Sequence, residues 1–112
     1  MGYTMIGTVI SKNGKEIRLT AERWSHIVEA HDYMAGNQDM VFETSENQDS
    51  IIDGGKDELI AVRHYVHTSI SEKHAVVIYK EQQNDGFVIT TFMTSKPEKI
   101  SKKGVLWNRQ IL

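Results

Sequence analysis

The chain has 112 residues, no cysteine and a net charge of −2, with 39% hydrophobic and 25% charged residues. A length of this order builds one hydrophobic core, so a single domain spanning residues 1–112 is expected. The missing thiols exclude disulfides, thiolate metal sites and cysteine nucleophiles, and the charge argues against a generally basic, non-specific nucleic-acid binder. Met1 to Ile6 lacks the basic start and apolar run of a secretory signal, and no stretch approaches the roughly 20 apolar residues that span a bilayer. A cytoplasmic protein with no membrane partner is the expectation.

Tyr3 to Ile10 is rich in Thr, Val and Ile, and Lys12-Asn13-Gly14-Lys15 supplies an Asn-Gly turn, which predicts a hairpin ending at Leu19. Thr20 to His31 reads as the clearest helix: Thr20 is an N-cap, Glu22 adds negative charge to the first turn, and Trp24, Ile27 and Val28 form the apolar stripe. Asp32 to Gln38 reads as a loop and Asp39 to Asn47 as a second short helix, with Met40, Val41 and Thr44 inward.

Ser50 to Asp53 is a short extended piece, and Gly54-Gly55-Lys56-Asp57 is a turn into the strand Glu58 to Val66. Alternation along that strand sets Leu59, Ala61, Arg63 and Tyr65 on one face and Ile60, Val62, His64 and Val66 on the other. Thr68 to Lys73 turns the chain, His74 to Lys80 is a β-rich run, Gln82 to Gly86 a turn, and Phe87 to Thr94 a further strand. The same alternation sets Thr91 with Phe87, Ile89 and Met93, and Thr90 with Val88, Phe92 and Thr94. Beyond Pro97 the tail is basic through Lys99, Lys102 and Lys103 until Val105-Leu106-Trp107 offers a last apolar patch, read either as a closing strand or as a pairing surface for a homodimer. The expected fold class is α+β, with helices packed on one side of an antiparallel meander and a site on the sheet face left open.

The histidines come first as proton carriers near neutral pH. His26 and His31 are five residues apart on one helix and do not point together as a metal pair would, and His64 and His74 lack a third ligand at a recognisable spacing, so neither a metal nor another cofactor is implied. Phosphate chemistry suits the inventory better. Cleaving RNA by internal transfer needs a base for the 2′-hydroxyl proton, a cation for charge growing on phosphorus and a proton for the leaving oxygen. A helical histidine, Arg63 and Tyr65 can fill these roles. Lys80 and the hydroxyls of Thr90, Thr91 and Thr94 extend the candidate phosphate surface. Gly54-Gly55 lacks the spacing of a nucleotide loop, and no serine sits in a nucleophile elbow.

Leu19-Thr20-Ala21-Glu22-Arg23-Trp24-Ser25-His26-Ile27 through His31, the strand Ala61 to Tyr65, Val76 to Tyr79 and Asp85 to Phe92 together resemble small bacterial and phage proteins of the barnase/EndoU/colicin/RelE-like nuclease superfamily, in its phage-associated branch. The resemblance runs from about Arg18 to Thr94. It implies a RelE/barnase-like layout of N-terminal helices on an antiparallel sheet, and metal-independent endoribonuclease activity in a toxin or defence setting, with RNA as substrate and a cognate antitoxin as a further partner. It also implies His26 or His31 as the proton-transfer residue, Arg63 as the phosphate cation, Tyr65 as its sheet-face partner and Thr90 or Thr91 as the polar group of the last strand. Trp24, Lys80 and Thr90 join the set as substrate-binding residues. A non-catalytic module of the same fold, binding protein or nucleic acid through the sheet face, is the alternative, and convergence of a histidine, Arg63 and Tyr65 on one point separates the two.

Overall fold

A computed structural model describes residues 4–83 and 85–109. It is a compact α+β structure in which three helices accompany a seven-stranded mixed sheet. The strands are β1 Met5–Ile10, β2 Glu16–Thr20, β3 Ser50–Gly55, β4 Glu58–Tyr65, β5 Lys73–Gln82, β6 Asp85–Thr94 and β7 Val105–Asn108; the helices are α1 Ala21–Ala30, α2 Gln38–Glu46 and α3 Glu98–Ser101. The expected strand start at Tyr3 and the Asn84 position of the β5–β6 turn lie outside the described residues.

The sheet order is β1-β2-β6-β5-β4-β3-β7. The meander β4-β5-β6 is antiparallel throughout, but β2 lies parallel to β6, with Arg18 opposite Phe87, so the sheet is not the purely antiparallel one expected. Gly86 permits that seam, because a Cβ there would stand 2.5 Å from Ile17 Cδ1 and 2.8 Å from the Glu16 carbonyl oxygen. The two-residue turn Lys56-Asp57 joins β3 to β4 with φ of 53° and 68°, the paired left-handed geometry that matches strand twist. Val105-Leu106-Trp107 forms the closing strand, with β7 pairing along β3.

The sheet curls strongly. The tip of the β1–β2 hairpin reaches over the sheet: Asn13 donates to Glu81 of β5 at 2.9 Å, and the Lys12 ammonium lies 3.8 Å from the Trp107 ring centroid of β7, at the opposite end of the strand order. This curl wraps one face around the long helices. Thr20 caps α1 by accepting from the Arg23 amide at 3.1 Å, and the helix buries Trp24 and Ile27 one turn apart. They pack with Val41 of α2 and Met34 against Ile17, Leu19, Ala61, Val77, Tyr79, Val88 and Met93. Burying such side chains stabilises the fold by about 1.5–3 kcal/mol each. The opposite face carries a smaller cluster, Ile52, Ile60, Val62 and Val76, with Ile100 of α3 packed on it. Among the described residues no helix is long and apolar enough to cross a membrane.

Strict alternation fails in β6. Ile78 pairs with Thr90 but Tyr79 pairs with Val88, so Ile89 is an extra residue, a bulge that exchanges the faces before and after it. Val88, Thr91 and Met93 therefore share the helix-covered face, and Phe87 joins Thr90 and Phe92 on the other, contrary to the pairing of Thr91 with Phe87 expected above.

Candidate functional site

The side of the sheet away from the two long helices, covered in part by α3, carries polar and aromatic residues around β6. On β2, Ile17 and Leu19 point into the core, so the intervening Arg18 and Thr20 belong to the other side. Register then places Arg18, Phe87 and Lys80 in one row across β2, β6 and β5, and Ile78 beside Thr90 in the next. Phe87, Lys80, Ile78 and Thr90 are half-buried, and Arg18 keeps 37% of its side chain exposed. Arg18 is gripped at both terminal nitrogens by the Asp85 carboxylate, which orients the guanidinium. The side chains of Lys80 and Arg23 make no hydrogen bond or ion pair among the described residues, so their charges are available to a ligand.

At the margin of this surface stands His31, immediately after α1. Its ring centroid is 5.6 Å from that of Phe92, and its Nδ1 is 3.3 Å from the Tyr33 hydroxyl. Tyr33 is itself anchored to β6: its hydroxyl accepts from the Met93 amide at 3.3 Å and lies 3.5 Å from the Met93 carbonyl oxygen. This anchorage is possible because β2 ends at Thr20 and leaves the later part of β6 without a strand neighbour on that side. When Nδ1 carries the proton and donates to Tyr33, Nε2 presents its lone pair and is a base; with the other tautomer it is a donor.

The remaining expected residues fall elsewhere. Arg63 and Tyr65 are on the helix-covered face, at the end of α2. Arg63 Nη1 donates to the Asn47 carbonyl oxygen at 2.5 Å, its Nε lies 3.7 Å from Glu43, and the Tyr65 hydroxyl donates to the Glu43 carboxylate. Arg109 also donates to the Asn47 carbonyl, at 3.2 Å. Two guanidiniums thus satisfy the carbonyl end of α2, which lacks a basic residue in its own last turn. Burial, helped by the hydrogen bond to Glu43, pushes the Tyr65 phenol up to about 12, so it stays protonated. Thr91 is fully buried and its hydroxyl donates to the Val76 carbonyl oxygen at 2.8 Å, and Trp24 is a core residue, so neither offers a surface to substrate. His26 is exposed on the outer side of α1. His31, Thr90 and Lys80 share the open side; Arg63 and Tyr65 do not join them, so the expected convergence of a histidine, Arg63 and Tyr65 is not formed.

Tyr33, Arg18, Phe87 and Phe92 were missed by sequence reasoning. Arg18 was legible as the polar residue between inward Ile17 and Leu19, whereas Phe87 was concealed by the β6 bulge. His64 and His74 form a second pair, ring centroids 4.7 Å apart, with His64 Nε2 2.6 Å from Glu72. Burial, reinforced by the neighbouring His64, lowers the His74 pKa. Among the described residues no group of three or more His, Asp or Glu is placed to hold a metal ion.

Among the described residues, cavities flank the sheet. One, of about 360 Å³, is lined by Asn13, Asp53, Asp57, Glu58, Leu59 and Glu81 and is acidic. Another, of about 220 Å³, lies where β2, β6 and α1 meet and is lined by Arg18, Thr20, Glu22, Arg23, Phe87 and Val88. No family model matches the chain, and neither the curated proteins nor the solved structures contain a significant match to it.

Proposed function

We propose that the protein is a metal-independent endoribonuclease of RelE/barnase-like layout that binds RNA on the open side of the sheet, with His31 as the proton-transfer residue. The observation that carries this reading is the fixed imidazole at the margin of a surface bearing cations, a hydroxyl and aromatic rings. His31 is held by Tyr33 and stands beside Phe92, on the side that carries Thr90, Phe87, Lys80 and Arg18.

In this mechanism His31 Nε2 takes the 2′-hydroxyl proton, and O2′ attacks the adjacent phosphorus. The bond to O5′ breaks, the departing oxygen takes a proton from water, the hydroxide so formed takes the proton held by His31, and a cyclic phosphate remains. Lys80 supplies the cation that opposes charge on the phosphoryl oxygens, and Thr90 donates a hydrogen bond. Phe87 and Phe92 offer faces on which unpaired bases stack, the usual mode for single-stranded RNA. Tyr33 is a positioning residue that selects the productive tautomer of His31.

The test is incubation of purified protein with mixed-sequence RNA in a chelator, with product ends identified. Cleavage should leave cyclic phosphates and fall by about 100-fold or more in His31→Ala, the usual range for losing a general base. His26→Ala should retain activity. RNA that is bound but left intact by the wild type would shift the function to a non-catalytic RNA-binding module.

A further inference from the structure

We infer that the cavity between β2, β6 and α1 is a subsite for a single nucleotide, with the base against Phe87 and the phosphate on Arg23 and Arg18. This deepens the RNA reading above and rests on it for the identity of the ligand, since it names where the strand is held away from the reacting phosphate.

The argument begins with register. Phe87 lies opposite Arg18 on one side and Lys80 on the other, so an aromatic side chain sits between two cations in one row of the sheet. Directly opposed side chains of neighbouring strands are about 5 Å apart at Cβ, close enough for the Arg18 guanidinium to serve a ligand seated on the ring. Arg18 is preset: Asp85 occupies one hydrogen on each terminal nitrogen and leaves the others for a phosphate oxygen. Arg23 is exposed at the rim with no partner among the described residues, and supplies charge that no carboxylate already neutralises.

Two features select the class of ligand. The volume, about 220 Å³, is below the range of roughly 300–1,000 Å³ that takes drug-sized molecules, and suits one base with part of its ribose phosphate. Glu22 lines the same cavity and would repel a bare anion, but its carboxylate accepts from the N–H groups of a nucleobase edge. A mononucleotide satisfies the arginines, the ring and the carboxylate together; inorganic phosphate satisfies only the arginines.

Amide chemical shifts of the wild-type protein, followed during titration with the four nucleoside 5′-monophosphates, test this directly, with inorganic phosphate and unphosphorylated nucleosides as separate arms. Saturable shifts centred on Arg18, Thr20, Phe87 and Val88 are expected with at least one nucleotide, and weaker ones with phosphate or nucleoside alone. Arg23→Gln and Phe87→Leu should each weaken that binding by about tenfold, the loss of one charge-assisted contact or one stacking contact. Phosphate binding as tightly as every nucleotide, or shifts confined to other parts of the sheet, overturns the inference. Nucleotide bound here by a protein that cleaves no RNA supports the subsite and refutes the nuclease reading. RNA cleavage with these resonances unmoved does the reverse.

Discussion

Replacing Arg63 by methionine separates a stabilising role from a catalytic one, because the variant keeps an apolar stem and loses the charged donors. The guanidinium donates at 2.5 Å to the Asn47 carbonyl at the end of α2 and retains 25% side-chain exposure. A hydrogen bond from a charged group contributes about 1.5–3 kcal/mol. Arg109 donates to the same carbonyl at 3.2 Å, and Glu43 is half exposed at 3.7 Å from Arg63 Nε, so the lower end applies and the ion pair adds little. The expected loss is about 1.5 kcal/mol. With an unfolding entropy of roughly 2.1 cal/mol/K per residue over 112 residues, the melting temperature should fall by about 6 °C. Thermal unfolding and RNA cleavage are measured on the same preparation, the latter below the transition. Melting should drop while cleavage stays within about twofold of wild type, as expected for a surface substitution away from reacting atoms. An unchanged melting temperature with cleavage reduced by about 100-fold would refute this assignment and return Arg63 to the phosphate.

Gly86→Ala should destabilise the protein by about 1–3 kcal/mol, since the new methyl would meet backbone oxygens of Glu16 at 2.8 Å and Lys80 at 3.1 Å, and these cannot retreat without opening the pairing of β6 with β2 and with β5. Gly7→Ala should cost less, about 1 kcal/mol or under, because its closest neighbour, at 2.7 Å, is the end of the Phe42 side chain; denaturant midpoints compare the two, and equal losses would deny the seam its role. His74, with its pKa lowered from 6.5 by burial and by His64, favours the neutral form on folding, so its contribution is complete above about pH 6.5 and fades as the pH falls below that value. Asp49, Glu72 and Glu98 around it act in the opposite direction, which makes the effect small. Urea midpoints followed from neutral pH down to about pH 5 should decline less steeply in His74→Gln than in the wild type; parallel curves would remove His74 as the cause.

Local rules carried much of the fold. The Thr20 cap, the spacing of Trp24 and Ile27, the Lys56-Asp57 turn after paired glycines and the β-rich runs of β4, β5 and β6 are decided by neighbours a few residues apart, and each was legible in the chain. The grouping of the site was not. A single additional residue, Ile89, moves Phe87 to the side of Thr90, and strict period-two reasoning has no local signal for such a bulge. The parallel placement of β2 against β6 joins residues about 70 positions apart, and it alone brings Arg18 beside Phe87. Arg63 illustrates the same division: alternation correctly placed it with Tyr65 on one face, but what covers that face depends on how α2 packs. The sequence alone therefore determined which residues could be helix, strand, turn, cation or base, because those properties reside in single side chains and short windows. Only tertiary structure decided which of them meet, because that depends on strand order, register and the curl of the sheet, which couple distant segments through packing of one shared core.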